Sequence, residues 1–152
     1  MRTILALLAC GACGGIEGDP IEGTVEIQYG ESSPDLVVGS VVEDDNTPGL
    51  MLVQLGSDNV DCDTYLDVFL SFSNPEGTFL YFSVDRLPGT YTDGFISAMR
   101  SDGGTTKINA SSGSVTIDAV EPRVTGSVTF ETTDDEVGTI SASGTFDVKR
   151  CF

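Results

Sequence analysis

Residues 113–148, GSVTIDAVEPRVTGSVTFETTDDEVGTISASGTFDV, change character at every second position. Val115, Ile117 and Ala119 alternate with Thr116 and Asp118, and Val124, Val128 and Phe130 alternate with Thr125, Ser127, Thr129 and Glu131. Ile140, Ala142, Phe146 and Val148 alternate in turn with Ser141, Ser143, Thr145 and Asp147. A period of two is the period of a strand, and one apolar face opposite one hydroxyl-rich face is the pattern of an antiparallel sheet buried on one side. The breaks between the runs, Glu121-Pro122 and residues 133–136, are short enough for hairpin connections, so the three strands form a meander or paired hairpins.

Working toward the N-terminus, further strands are expected at 24–29, 36–42, 50–55, 64–72, 78–84 and 94–100, separated by Gly, Pro, Asn and Asp. The middle ones are less amphipathic. Leu66, Val68, Leu70 and Phe72 alternate while Phe69 takes the other face, and Phe79-Leu80-Tyr81-Phe82 is apolar on both. Such strands are either covered on both sides or carry an exposed apolar patch, for which Phe69, Phe79 and Tyr81 are the candidates. No run has a helical period and no repeat of solenoid or propeller length is present. The expected fold is all-β: an antiparallel β-sandwich, immunoglobulin-like or a related Greek-key or meander arrangement, of about eight or nine strands.

Composition narrows the chemistry. With 24 acidic residues against 7 basic ones the formal charge is −17, which excludes a nucleic-acid partner because phosphate binding needs a basic footprint. The absence of histidine removes Ser-His-Asp and Cys-His catalysis and His-ligated zinc. Tryptophan is also absent, so any aromatic platform must come from Tyr and Phe. No cofactor is implied.

The first residues set an address. Arg2 precedes an apolar run that ends in Leu7-Leu8-Ala9-Cys10, which resembles the lipobox of bacterial lipoproteins. That resemblance implies a signal peptide over 1–9, an acylated Cys10, and attachment to the membrane through acyl chains, two or more of which give stable anchoring. Cys13 is the alternative anchor, with a signal over 1–12. If Cys10 carries the lipid, Cys13, Cys62 and Cys151 remain and one thiol is left without an internal partner; if Cys13 carries it, the remaining two can pair. The apolar run falls short of the roughly 20 residues of a membrane span. Residues 10–22, rich in glycine and acid, read as a flexible tether, and 23–152 as one domain.

In an exported chain Cys62 and Cys151 are the best structural pair, stapling the end of the domain to its middle. Acidic clusters stand at 43–46, at 58–63 and at 134–136. Asp58, Asp61 and Asp63 are the calcium candidates, although none of the clusters has the EF-hand pattern and solvated turns explain all three. Paired carboxylates could also serve a glycosidase, but spacing along the chain carries no information about separation in space.

The acidic Cys62 turn, Leu87-Pro88-Gly89-Thr90-Tyr91, Ser112-Gly113-Ser114-Val115-Thr116-Ile117, Val124-Thr125-Gly126-Ser127, and a closing Ser143-Gly144-Thr145-Phe146-Asp147-Val148 before Cys151 form a layout. It is similar to that of uncharacterised β-rich envelope lipoproteins of Gram-negative bacteria, myxobacteria among them. The resemblance implies address, fold and disulfide, with no activity to carry over. The expectation is therefore a lipid-anchored protein of the bacterial envelope, at the outer membrane because glycine follows either candidate cysteine. It would be a non-enzymatic binding, adhesive or structural module for an unknown protein or glycan ligand. The alternatives are a carboxylate- or calcium-dependent hydrolase and an accessory subunit of an envelope complex.

Overall fold

The computed structural model describes residues 18–45, 47–63, 76–102 and 105–152. Within them the chain forms eight strands and no helix: β1 (Pro20–Tyr29), β2 (Asp35–Glu43), β3 (Leu50–Gly56), β4 (Gly77–Asp85), β5 (Gly89–Asp102), β6 (Thr105–Ala119), β7 (Arg123–Asp134) and β8 (Gly138–Arg150). Each pairs antiparallel with its neighbour in sequence, and β8 returns to pair with β1, from Glu22 opposite Asp147 to Tyr29 opposite Ile140. The result is one antiparallel sheet curled into a barrel, an up-and-down meander. This corrects the expected sandwich. Strict alternation says that one face is buried, and a sheet rolled onto itself buries that face as well as two stacked sheets do.

Strand positions follow the period-two reading closely. The main differences are β5 and β6, which are longer than expected and pair as far as Asp102 opposite Thr105. The strand expected at 64–72 lies outside the described residues.

The inward row is continuous around the barrel: Val25 and Ile27, Val41, Val53 and Leu55, Leu80 and Phe82, Ile96 and Ala98, Val115 and Ile117, Val128 and Phe130, Ala142 and Phe146 form one buried cluster. Phe82 of β4 and Phe146 of β8 approach across the interior, with ring centroids 6.0 Å apart and planes tilted by 55°. An eight-stranded barrel is narrow enough for inward side chains from opposite walls to meet, as these two rings do. Two inward positions are glycine because large neighbours need the room. A Cβ on Gly126 would lie 2.1 Å from the Thr116 carbonyl oxygen and 2.9 Å from Phe146 Cζ, and one on Gly113 would lie 2.3 Å from Ile96 Cδ1.

A second apolar cluster sits on the outer face of β2–β5: Val38, Leu52, Phe79, Tyr81 and Met99, joined by Val60 from the segment after β3. Phe79 and Tyr81 are 0% and 5% exposed, so these two residues form buried packing and not the exposed patch considered above. Phe69 lies outside the described residues. Between the apolar side chains Ser40 and Gln54 are fully buried, and each has a partner. Gln54 Nε2 donates to Ser40 Oγ at 3.2 Å, and Ser40 Oγ donates to the Asp61 carbonyl at 2.7 Å.

Removing the Phe146 ring leaves a cavity where two walls meet, so Phe146→Ala should cost about 3–5 kcal/mol in urea unfolding. Gly126→Ala overfills the same place and should cost about 1–3 kcal/mol. Gly138, whose Cβ would meet nothing within 4 Å, opens β8 directly after the turn at φ +90°, so Gly138→Ala should report backbone strain without overpacking.

Candidate functional site

Closure of the barrel is irregular at one seam. The β1–β2 ladder shifts between Pro20 and Val25, and the end of β8 fills the gap by pairing parallel with β2, Ser40 with Lys149 and Val41 with Arg150. Cys151 N then donates to the Val41 carbonyl at 2.9 Å. The segment after β3 runs back over this seam. Asp19 N donates to the Val60 carbonyl at 2.8 Å, Gly39 N to the Asp19 carbonyl at 2.8 Å, and Lys149 Nζ lies 3.2 Å from the Asp19 carboxylate. The fold brings Cys62 and Cys151 into disulfide geometry at the same place, with Cα atoms 5.4 Å apart. Cys10 and Cys13, the lipidation candidates, lie outside the described residues.

The acidic clusters are built into turns. Asp58 Oδ1 accepts from Asn59 N at 2.9 Å and Asp61 Oδ1 accepts from Asp63 N at 2.9 Å, so two calcium candidates hold their own backbone. Among the described residues no group of three His, Cys, Asp or Glu side chains is arranged to hold a metal ion. Asp134 Oδ1 caps the amides of Glu136 and Val137 at 2.9 and 2.8 Å. Its Oδ2 accepts from Asn109 Nδ2 at 2.8 Å, and Asn109 Oδ1 accepts from the Tyr29 hydroxyl. Asp44, 8% exposed, accepts from Thr47 N at 3.1 Å and from the Ser83 hydroxyl. Its burial was not visible in a run of acids read as a solvated turn.

Two shallow recesses open at the barrel end that carries the β4–β5 turn. One, of about 430 Å³, is lined by Glu121, Pro122, Arg150 and Phe152. Arg86 and Arg150 each place a guanidinium 4.5 Å from the Phe152 ring centroid, and ion pairs with Glu43 and Glu121 neutralise both cations. The other, of about 420 Å³, lies along Leu50, Ser83, Asp85 and Tyr91. The Tyr91 hydroxyl donates to the Leu87 carbonyl at 2.7 Å. Desolvation, and then the nearby Asp85 carboxylate, push this phenol above its ordinary 10.0.

A third recess has a different character. The outward row of β8 is Thr139, Ser141, Ser143, Thr145 and Asp147, flanked by β1 and β7. Register sets Gln28, Ser141 and Glu131 in one line across the three strands, and Glu26, Ser143 and Thr129 in the next. Thr24, Thr145 and Ser127 follow. Serine on the central strand between longer side chains makes a trough, and a recess of about 400 Å³ there is lined by Glu26, Gln28, Ser33, Thr129, Glu131, Ser141 and Ser143, with the inward-facing Ile27, Phe130 and Ala142 also bordering it. No lysine or arginine lines it. Neither Glu26 nor Glu131 makes an ion pair among the described residues. The wet faces of these strands were legible separately; their alignment into one concave surface was not.

Comparison of the chain with protein-family models, with curated proteins and with solved structures finds no match.

The Cys62–Cys151 link spans 89 residues, so its removal by Cys62→Ser with Cys151→Ser should cost up to roughly 4–5 kcal/mol in the chain-entropy model. Denaturant midpoints with and without reductant check this. A phenol with a raised folded pKa contributes stability that is complete below its unfolded value of 10.0 and is lost as pH rises through the folded value. Tyr91→Phe should therefore flatten the alkaline limb of a stability-versus-pH curve above about pH 10.

Proposed function

We propose that this chain is a lipid-anchored protein of the bacterial envelope, at the outer membrane, whose barrel is a non-enzymatic binding or adhesive module. The observation that carries the address is the approach of Cys62 to Cys151. It occupies both downstream thiols, leaves Cys10 and Cys13 for the lipid, and suits a chain that matures in an oxidising compartment. Cys10 stands eight residues before Gly18, so an anchored barrel is held within about 30 Å of the bilayer.

The barrel supports a binding role through where it offers contact. Buried apolar side chains line its interior, and on the outside the β1–β8–β7 trough is a concave surface whose polar rows carry Glu26 and Glu131, carboxylates with no ion pair among the described residues. Glu26 and Glu131 stand on strands separated by β8 and are offset by one pleat. That is a wide placement for an acid/base pair that must flank one glycosidic bond, which favours binding over hydrolysis.

Intact mass of the protein from native membranes tests the address. The wild type should fractionate with the membrane and carry the mass of acyl chains on an N-terminal cysteine. Cys10→Ser should lose both properties, while Cys13→Ser keeps both. A soluble, unacylated wild type would overturn the proposal.

A further inference from the structure

The geometry points to a neutral glycan chain as the ligand of the β1–β8–β7 trough, an inference that rests on reading the barrel as a binding module. The floor is the hydroxyl row of Ser141, Ser143 and Thr145, and hydroxyls both donate and accept. Along the walls stand Glu26 and Glu131, which only accept, and Gln28, whose Nε2 already donates to the Gly30 carbonyl at 3.2 Å and whose Oε1 accepts. A ligand that satisfies every position must donate to the walls and both donate to and accept from the floor. Sugar hydroxyls do this.

The side chains of a lysine- or arginine-rich peptide only donate, so they offer the floor's O–H groups no acceptor and leave these to the peptide backbone alone. An anionic polymer meets two carboxylates with no cation beside them in a chain of formal charge −17. Successive rows repeat about every 6.8 Å along β8, and strands lie about 4.8 Å apart, so an extended chain lying along β8 meets a fresh donor–acceptor set at each row. Ser33 lines the recess beyond the strands. No aromatic side chain stands in the polar rows, so contact rests on hydrogen bonds and a single saccharide unit binds weakly.

The test uses the full chain in detergent, isotopically labelled, with backbone amide shifts followed during titration with three neutral hexasaccharides: β-1,4-linked glucose, α-1,4-linked glucose and β-1,4-linked N-acetylglucosamine. At least one should give saturable shifts confined to β1, β8 and β7, unchanged between low and high salt. Ser143→Leu, which fills the floor, and Glu131→Ala, which removes a wall acceptor, should each weaken binding on the order of tenfold. The wild-type shift map stands even if a variant folds poorly.

No saturable shift with any of the three, or shifts mapping elsewhere, overturns the inference. So does binding only of an oligolysine peptide that disappears with salt, which would assign the trough to cationic partners. Acylation is read separately by mass, so an acylated barrel that ignores glycans sinks this inference and leaves the membrane address standing.

Discussion

The contact on which the fold depends is the meeting of opposite walls inside the barrel. Phe82 and Phe146 come from strands on different sides of the ring, and their rings touch because glycine at position 126 leaves space for Phe146. A sheet of this length has an apolar face that must be removed from water, and curling brings that face against itself. Large side chains opposite inward glycines set how tightly it can close. The consequence is one buried apolar cluster that runs around the interior from wall to wall.

The outer surface is then divided by how each wall is made. Over β2–β5 a second apolar cluster is buried, and the polar groups inside it, Ser40 and Gln54, are satisfied by each other and by the Asp61 carbonyl. Over β1, β8 and β7 the outward rows are hydroxyls, amide and carboxylate. The seam between the two regions is β2, where β1 bends away, the end of β8 enters in parallel and the Cys62 segment crosses. Hydrogen bonds from Asp19, Gly39 and Cys151 pin the entering and closing strands at this point. One strand thus joins barrel closure, the covalent link and the place where the chain enters the domain.

Charge has been distributed with similar economy. Several acids that look like surface decoration hold turns: Asp134 caps two amides and anchors Asn109, and Asp44 is buried against Ser83 and Thr47. Arg86, Arg123, Lys149 and Arg150 are each paired with a carboxylate, so few cations are left to attract anionic partners. Surface ion pairs of this kind add little stability, and their effect here is on which partners the surface admits.

The sequence by itself determined the strands and their inward faces. Alternation such as Val124, Val128 and Phe130 against Thr125, Ser127 and Thr129 is local, because side-chain direction in a strand is fixed by the backbone. It also determined the two-sided burial of residues 79–82 as one of two readings, and the Cys62–Cys151 pair, since few thiols were available to pair. Only the tertiary structure decided that the sheet rolls into a barrel, because a sandwich and a barrel bury the same alternating face. The trough belongs to the same class. Glu26, Ser143, Thr129 and Glu131 lie far apart in the chain and align only once register and curvature bring three strands together, and register is a property of pairing that no single strand encodes.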